Sequence, residues 1–170
     1  MKLTTIAIIA LLGVLLASTV ACGSSSTSKP TVGYVPVGWS LHLDKPYGEY
    51  VATDGTKSGS LLYESDINSQ MVAIFYGDIP VSLIGHENDQ AYLIDRASEE
   101  TKDEPQETGI MSVYGQTAGY KKTYYPDDNL YSMTITFIYK NTCIDIITGY
   151  NANSKDEAQV MALINSINFK

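Results

Sequence analysis

Cysteine is scarce, with two in 170 residues. That excludes a disulfide-stapled scaffold and any four-thiolate metal centre. Histidine is as rare: His42 and His86 are the only two, too few and too far apart for a paired-histidine motif. Basic residues are also few, 11 Lys and Arg against 19 Asp and Glu, for a net charge of −8. A phosphate backbone is gripped by a basic surface that releases counterions, so nucleic acid is excluded as a partner. Hydrophobic residues make up 44% and charged residues 18%, too apolar for a disordered chain, and the length suits one domain. No Gly-x-Ser-x-Gly, His-Glu-x-x-His, phosphate loop or dinucleotide fingerprint occurs. Ser26 and Lys29 formally match Ser-x-x-Lys, but in a Ser-rich stretch that cannot hold a nucleophile in place. Phenylalanine and tryptophan are sparse as well, three and one, against thirteen tyrosines.

The chain has one long apolar run, residues 6–17, broken only by Gly13. Lys2 precedes it, and Ser18, Thr19, Val20, Ala21 and Cys22 follow. Charge, apolar stretch and small residues form the layout of a secretory signal peptide. A cysteine directly after Ala21 resembles a bacterial or archaeal lipoprotein signal, although Thr19 stands where a leucine is usual. That resemblance makes residues 1–21 the signal peptide and Cys22 the mature N-terminus, lipidated on its sulfur, with the membrane as partner. Two other readings stay open. Thr19 and Ala21 also suit ordinary secretion with a free Cys22, and residues 3–22 have about the ~20-residue length of an uncleaved membrane span. All three put the folded part outside the cytoplasm. Residues 22–33, rich in serine, are predicted to be a flexible tether, and 34–170 a single domain.

Alternation of Trp39, Leu41 and Leu43 with Ser40, His42 and Asp44 predicts a half-buried strand. The turn-rich residues 54–59 predict a hairpin, and the apolar run 70–76 a central strand. Residues 80–98 predict a helix, strongest over 89–97, capped by Asn88 or Asp89, with Ala91, Ile94 and Ser98 on one face. Residues 109–114, 117–125, 130–140 and 142–150 predict a four-stranded antiparallel meander. Ser154 and Glu157 are spaced as a capping box, opening a helix with Val160, Met161, Ile164 and Ile167 on one stripe. The fold class is therefore α+β, an antiparallel sheet with a mid-chain helix and a C-terminal helix packed on it.

Residues 113–120, the hairpin through Phe137, Ile138 and Tyr139, and residues 144–147 followed by the helix and residues 163–169 resemble PsbP-like domains. Pro36, Val37, Gly38 and Trp39 look like the opening of such a domain. The resemblance spans 34–170 and implies a sheet with helices packed on it and action by binding partners, with no catalytic residues. Fold alone transfers no function.

The residues themselves offer few alternatives. Tyrosine combines contact area with a polar tip, and Tyr120, Lys122 and Tyr124 share one strand face while Lys121, Thr123 and Tyr125 share the other. Tyr120, Lys122, Tyr124 and Tyr125 are thus the candidate partner-binding residues, for an envelope protein or small ligand. Acids crowd residues 87–107 (Glu87, Asp89, Asp95, Glu99, Glu100, Asp103, Glu104, Glu107) against Arg96 and Lys102, a solubilising surface first and a steering surface second. His86 with Glu87 and Asp89 would be the donors of a metal-dependent enzyme, the alternative class, but adjacent residues converge poorly. Asp127, Asp128 and Asn129 read as a turn before a calcium loop. Cys143 is a buried packing residue if Cys22 is lipidated, and a disulfide partner for it otherwise. No cofactor and no metal is expected. A non-enzymatic, membrane-anchored binding or accessory module is the leading expectation, with a small hydrolase or a solute-binding module as the alternatives.

Overall fold

The strand Thr142–Asn151 is buried along its length up to Tyr150. A strand can be that dry only if both faces of its sheet are covered, and this one lies in the middle of a seven-stranded sheet. The computed structural model describes residues 27–52, 55–67, 69–98 and 106–169. Its elements are β1 (Pro30–Val32), β2 (Trp39–Val51), β3 (Lys57–Ser65), β4 (Met71–Gly77), a single 3-10 turn (Val81–Leu83) and α1 (Gln90–Ser98). They continue as β5 (Gln106–Val113), β6 (Gln116–Tyr125), β7 (Leu130–Tyr139), β8 (Thr142–Asn151), α2 (Ser154–Asn165) and β9 (Ile167–Phe169). The large sheet runs β2-β3-β4-β8-β7-β6-β5, and every neighbouring pair is antiparallel. After β4 the chain crosses to the far edge through α1, then meanders back so that β8 closes against β4.

The alternation in β7 explains the two layers. Met133, Ile135 and Phe137 join Ile144, Ile146 and Tyr150 of β8 and Ile74 and Tyr76 of β4 in the main core, which Val160, Leu163 and Ile164 of α2 cover. On the other face Ile138 and Cys143 pack with Leu83 and Leu93. The α+β architecture is as the sequence implies, and the meander and the central strand lie within a few residues of their expected bounds.

Three expectations are corrected. The helix expected over 80–98 is broken: Gly85 takes a positive φ of 81°, and the helix starts only at Gln90, where Asp89 Oδ1 accepts the Ala91 amide at 3.0 Å. Its buried face is Leu93 and Ala97, not Ala91, Ile94 and Ser98. The reason lies on the sheet, because a side chain at Gly119 of β6 would overlap the backbone of Leu93 and Ile94. The capping box is displaced by one residue: Asn153 is the N-cap, its Oδ1 accepting the Asp156 amide at 2.9 Å, and Ser154 is already helical. The folded body also begins before residue 34. Pro30, Thr31 and Val32 pair antiparallel with Phe169, Asn168 and Ile167, the Ser28 amide donates to Thr142 Oγ1 at 2.9 Å, and Lys29 is ion-paired with Asp44 at 2.6 Å. The described part of the expected tether is therefore pinned to the domain; residues 22–26 lie outside the described residues.

Two outcomes check this account. Asn153→Ala should cost about 1 kcal/mol in urea unfolding, the usual value of a lost N-cap, while Ser154→Ala should cost far less. Gly119→Ala should lower stability by more than either, because the helix must lift from the sheet to admit one methyl group.

Candidate functional site

Strand β6 alternates between the two layers, which separates the four candidate residues. Tyr120, Lys122 and Tyr124 face α2, and Tyr125 faces the opposite side with Gly119, Lys121 and Thr123. None is a free surface group. The Tyr120 hydroxyl donates to Glu107 Oε1 at 2.8 Å, a bond that, with burial, raises its pKa. The Tyr124 hydroxyl donates to Asn129 Oδ1 at 3.1 Å, and its ring lies 5.0 Å from that of Tyr131. Tyr125 is half-buried.

Lys122 joins the sheet to α2. Its Nζ sits 4.3 Å from the centre of the Tyr131 ring and 2.7 Å from Glu157 Oε1 on α2. Burial opposes its charge, yet the bond to Glu157 and the neighbouring Tyr150 and Glu157 charges prevail and raise its pKa. Tyr150, wholly buried beneath, also reaches Glu157 Oε1 at 3.4 Å, and burial above all pushes its phenol up to about 12. An aromatic cup with a carboxylate at its rim is a cation site, and here the protein's own lysine fills it. The cluster fastens α2 to the sheet.

The histidines lie elsewhere. His86 stacks on Tyr92 with ring centres 3.8 Å apart, and its Nδ1 is 3.9 Å from Asp89 Oδ2. Glu87 turns back to accept the Gly85 amide at 3.0 Å, and backbone N–H groups lower its pKa. Glu87 therefore does not join His86 and Asp89. Among the described residues no group of three or more His, Cys, Asp or Glu is placed to hold a metal; acids 99–105 lie outside the described residues. His42 is more connected than its position suggested. Ser40 Oγ lies 2.9 Å from His42 Nε2 and donates to Asp66 Oδ1 at 3.0 Å, while His42 Nδ1 is 3.7 Å from Glu64. The two ring nitrogens face different carboxylates, so they do not converge on one ion. Part of the signal is in the sequence, since Ser40 and His42 are two apart on a strand; the pairing of Ser40 with Glu64 of β3 is supplied by the fold.

Asp127, Asp128 and Asn129 form the β6–β7 turn, with Asn129 at a positive φ of 49°. Cys143 is free and buried, and burial holds its thiol well above the usual range; Cys22 lies outside the described residues. Beside Cys143 lies a pair invisible in the sequence. Arg96 Nη2 of α1 meets Asp145 Oδ2 at 3.0 Å, both side chains nearly dry, and Thr136 Oγ1 donates to Asp145 Oδ1 at 2.6 Å.

No family model matches the chain, and no curated protein matches it. Among solved structures it is similar to the extracellular domain of PknH from Mycobacterium tuberculosis, at 11% identity and a TM-score of 0.36, over 94% of this chain and 88% of that one. That likeness is too distant to set a fold or a function. Among the described residues no helix is long and apolar enough to cross a membrane.

The Tyr150 environment gives a pH prediction. A folded-state pKa near 12 against an ordinary 10.0 means the folded protein holds this proton more tightly, so its stabilisation is complete below pH 10.0 and is lost as pH rises through about 12. Urea melts across that window should show stability falling, and Tyr150→Phe should flatten the fall.

Proposed function

We propose that the protein is a membrane-tethered extracytoplasmic lipoprotein, lipidated on Cys22, whose PsbP-like domain acts by binding an envelope partner or small ligand rather than by catalysis. One observation carries the reading. An export-type segment ends in a cysteine only six residues before Ser28, whose amide is bonded to Thr142 Oγ1 of the central strand. Six residues reach at most about 20 Å. An anchor at Cys22 therefore keeps the domain close to the bilayer and gives it a definite point of attachment, a useful design for a module that meets its partner at the membrane. The excess of acid, 19 Asp and Glu against 11 Lys and Arg of which Lys2 lies in the signal segment, supports lipid as the holding force, since an acidic body is repelled by anionic headgroups. Stable anchoring takes more than one acyl chain or a second contact. The resemblance of residues 113–120 and 163–169 to PsbP-like domains supports a partner-assisting role. Lys122 and Glu157, which fill the aromatic cup from within, support the view that partner contact uses the surface rather than this cluster.

The test is acylation. Labelled fatty acid should be incorporated by the wild-type chain, and Cys22→Ser should lose the label and move from the membrane to the soluble fraction. Label retained by the Cys22→Ser chain would overturn the reading.

A further inference from the structure

The β5–β6 and β7–β8 turns, the end of β4 and the start of β3 lie at one end of the large sheet, set by the pairs Val113 with Gln116, Tyr139 with Thr142, Gly77 with Cys143 and Ser58 with Gly77. The N-terminal chain leaves the body at this same end, because Ser28 is bonded to Thr142, the strand partner of Tyr139. An aromatic cluster stands there. Tyr139 stacks on Phe169 with ring centres 4.2 Å apart, and Tyr114 meets both edge-on, at 5.3 Å and 5.2 Å. Lys140 lies over the Tyr139 ring at 5.2 Å. Tyr114 is 40% exposed and sits at a φ of 52°, a turn position where Asn or Gly is relaxed and tyrosine is not. Asp78, at the same end, is engaged by the Tyr47 hydroxyl and the Lys57 amide, while the acidic turn of Asp127 and Asp128 is at the opposite end.

We propose that this end of the sheet rests on the membrane that holds Cys22, with the exposed Tyr114 ring at the lipid–water boundary, Tyr139 and Phe169 packed behind it against the core, and Lys140 among the headgroups. Amphipathic rings and snorkelling lysines are the residues that settle at that boundary. The short span from Cys22 to Ser28 leaves the cluster no room to lie far from it. The contact is the second hold that a lipid anchor needs. It also fixes which way the domain faces, with α2's N-terminus and the acidic turn directed away from the bilayer. The inference rests on the anchor reading above and is separable from it.

The experiment places an indole in the cluster. The mature lipidated protein, beginning at Cys22 and carrying Tyr114→Trp, is reconstituted on phosphatidylcholine vesicles with brominated acyl chains. The added indole should be quenched, while Trp39, buried at the opposite end of the sheet beside Ser65, should not respond in the wild-type chain. A second variant, Tyr114→Asn, suits the turn and should keep or raise Tm. It should nonetheless remove the protection of Lys140 from a membrane-impermeant amine reagent. An unquenched indole on protein still held by the vesicles, or Lys140 protection unchanged in Tyr114→Asn, would overturn this inference and leave the anchor standing. Wild-type protein that floats free of the vesicles would overturn both.

Discussion

The dryness of β8 is the constraint from which the rest follows. With both faces covered, each polar residue in it must find a partner inside the protein or cost free energy. Thr142 accepts the Ser28 amide, which fixes where the N-terminal chain joins the body. Asp145 takes Thr136 from the neighbouring strand and Arg96 from α1, which fixes the helix over that half of the sheet. Thr148 Oγ1 bonds both the amide and the carbonyl of Met133, at 3.1 Å and 3.3 Å, reinforcing the β7–β8 register. Apolar burial supplies the driving force, and these three residues specify which elements meet.

Tyrosine does the work that phenylalanine does in most cores. Tyr76 is wholly buried, yet its hydroxyl reaches the Lys45 carbonyl at 3.0 Å. Tyr150 is equally dry and reaches Glu157. Each ring fills core volume while its tip ties the core to the polar rim, an arrangement open to tyrosine and closed to phenylalanine. On β6 the Tyr120 and Tyr124 rings are half-buried, and their hydroxyls find Glu107 and Asn129 within the chain.

What was legible in the sequence is what depends on neighbours along the chain. The period of two in β7, the turn residues 126–129 and the apolar run of β4 each declare themselves locally. What was not legible depends on residues far apart. Pro30–Val32 has no strand pattern of its own and becomes a strand only because Ile167–Phe169 lies beside it. The buried face of α1 is chosen by a glycine in β6, since only a bare Cα there lets the helix backbone approach. Arg96 with Asp145, and Lys122 with Glu157, carry no spacing signal because the topology alone brings them together. The cap at Asn153 was missed by one residue because Asn and Ser are both good caps, and the turn after Asn151 decides between them.

The proposed attachment at Cys22 would also determine how the domain bears load. In a chain held at Cys22, tension enters at Ser28 and runs into β1, whose first residue Pro30 pairs with the last strand residue, Phe169. Pull along that direction shears the β1–β9 ribbon, so its backbone bonds and the Lys29–Asp44 ion pair resist together rather than opening one by one. The same ribbon carries Phe169, which Tyr139 and the strained Tyr114 clasp. The strain at Tyr114 is local, of order 1–3 kcal/mol for such a conformation, and its ring contacts offset part of it. The Ser28 end of the chain, the ribbon and the aromatic cluster therefore form one mechanical unit at the start of β8, and α2 and the acidic turn lie outside its path.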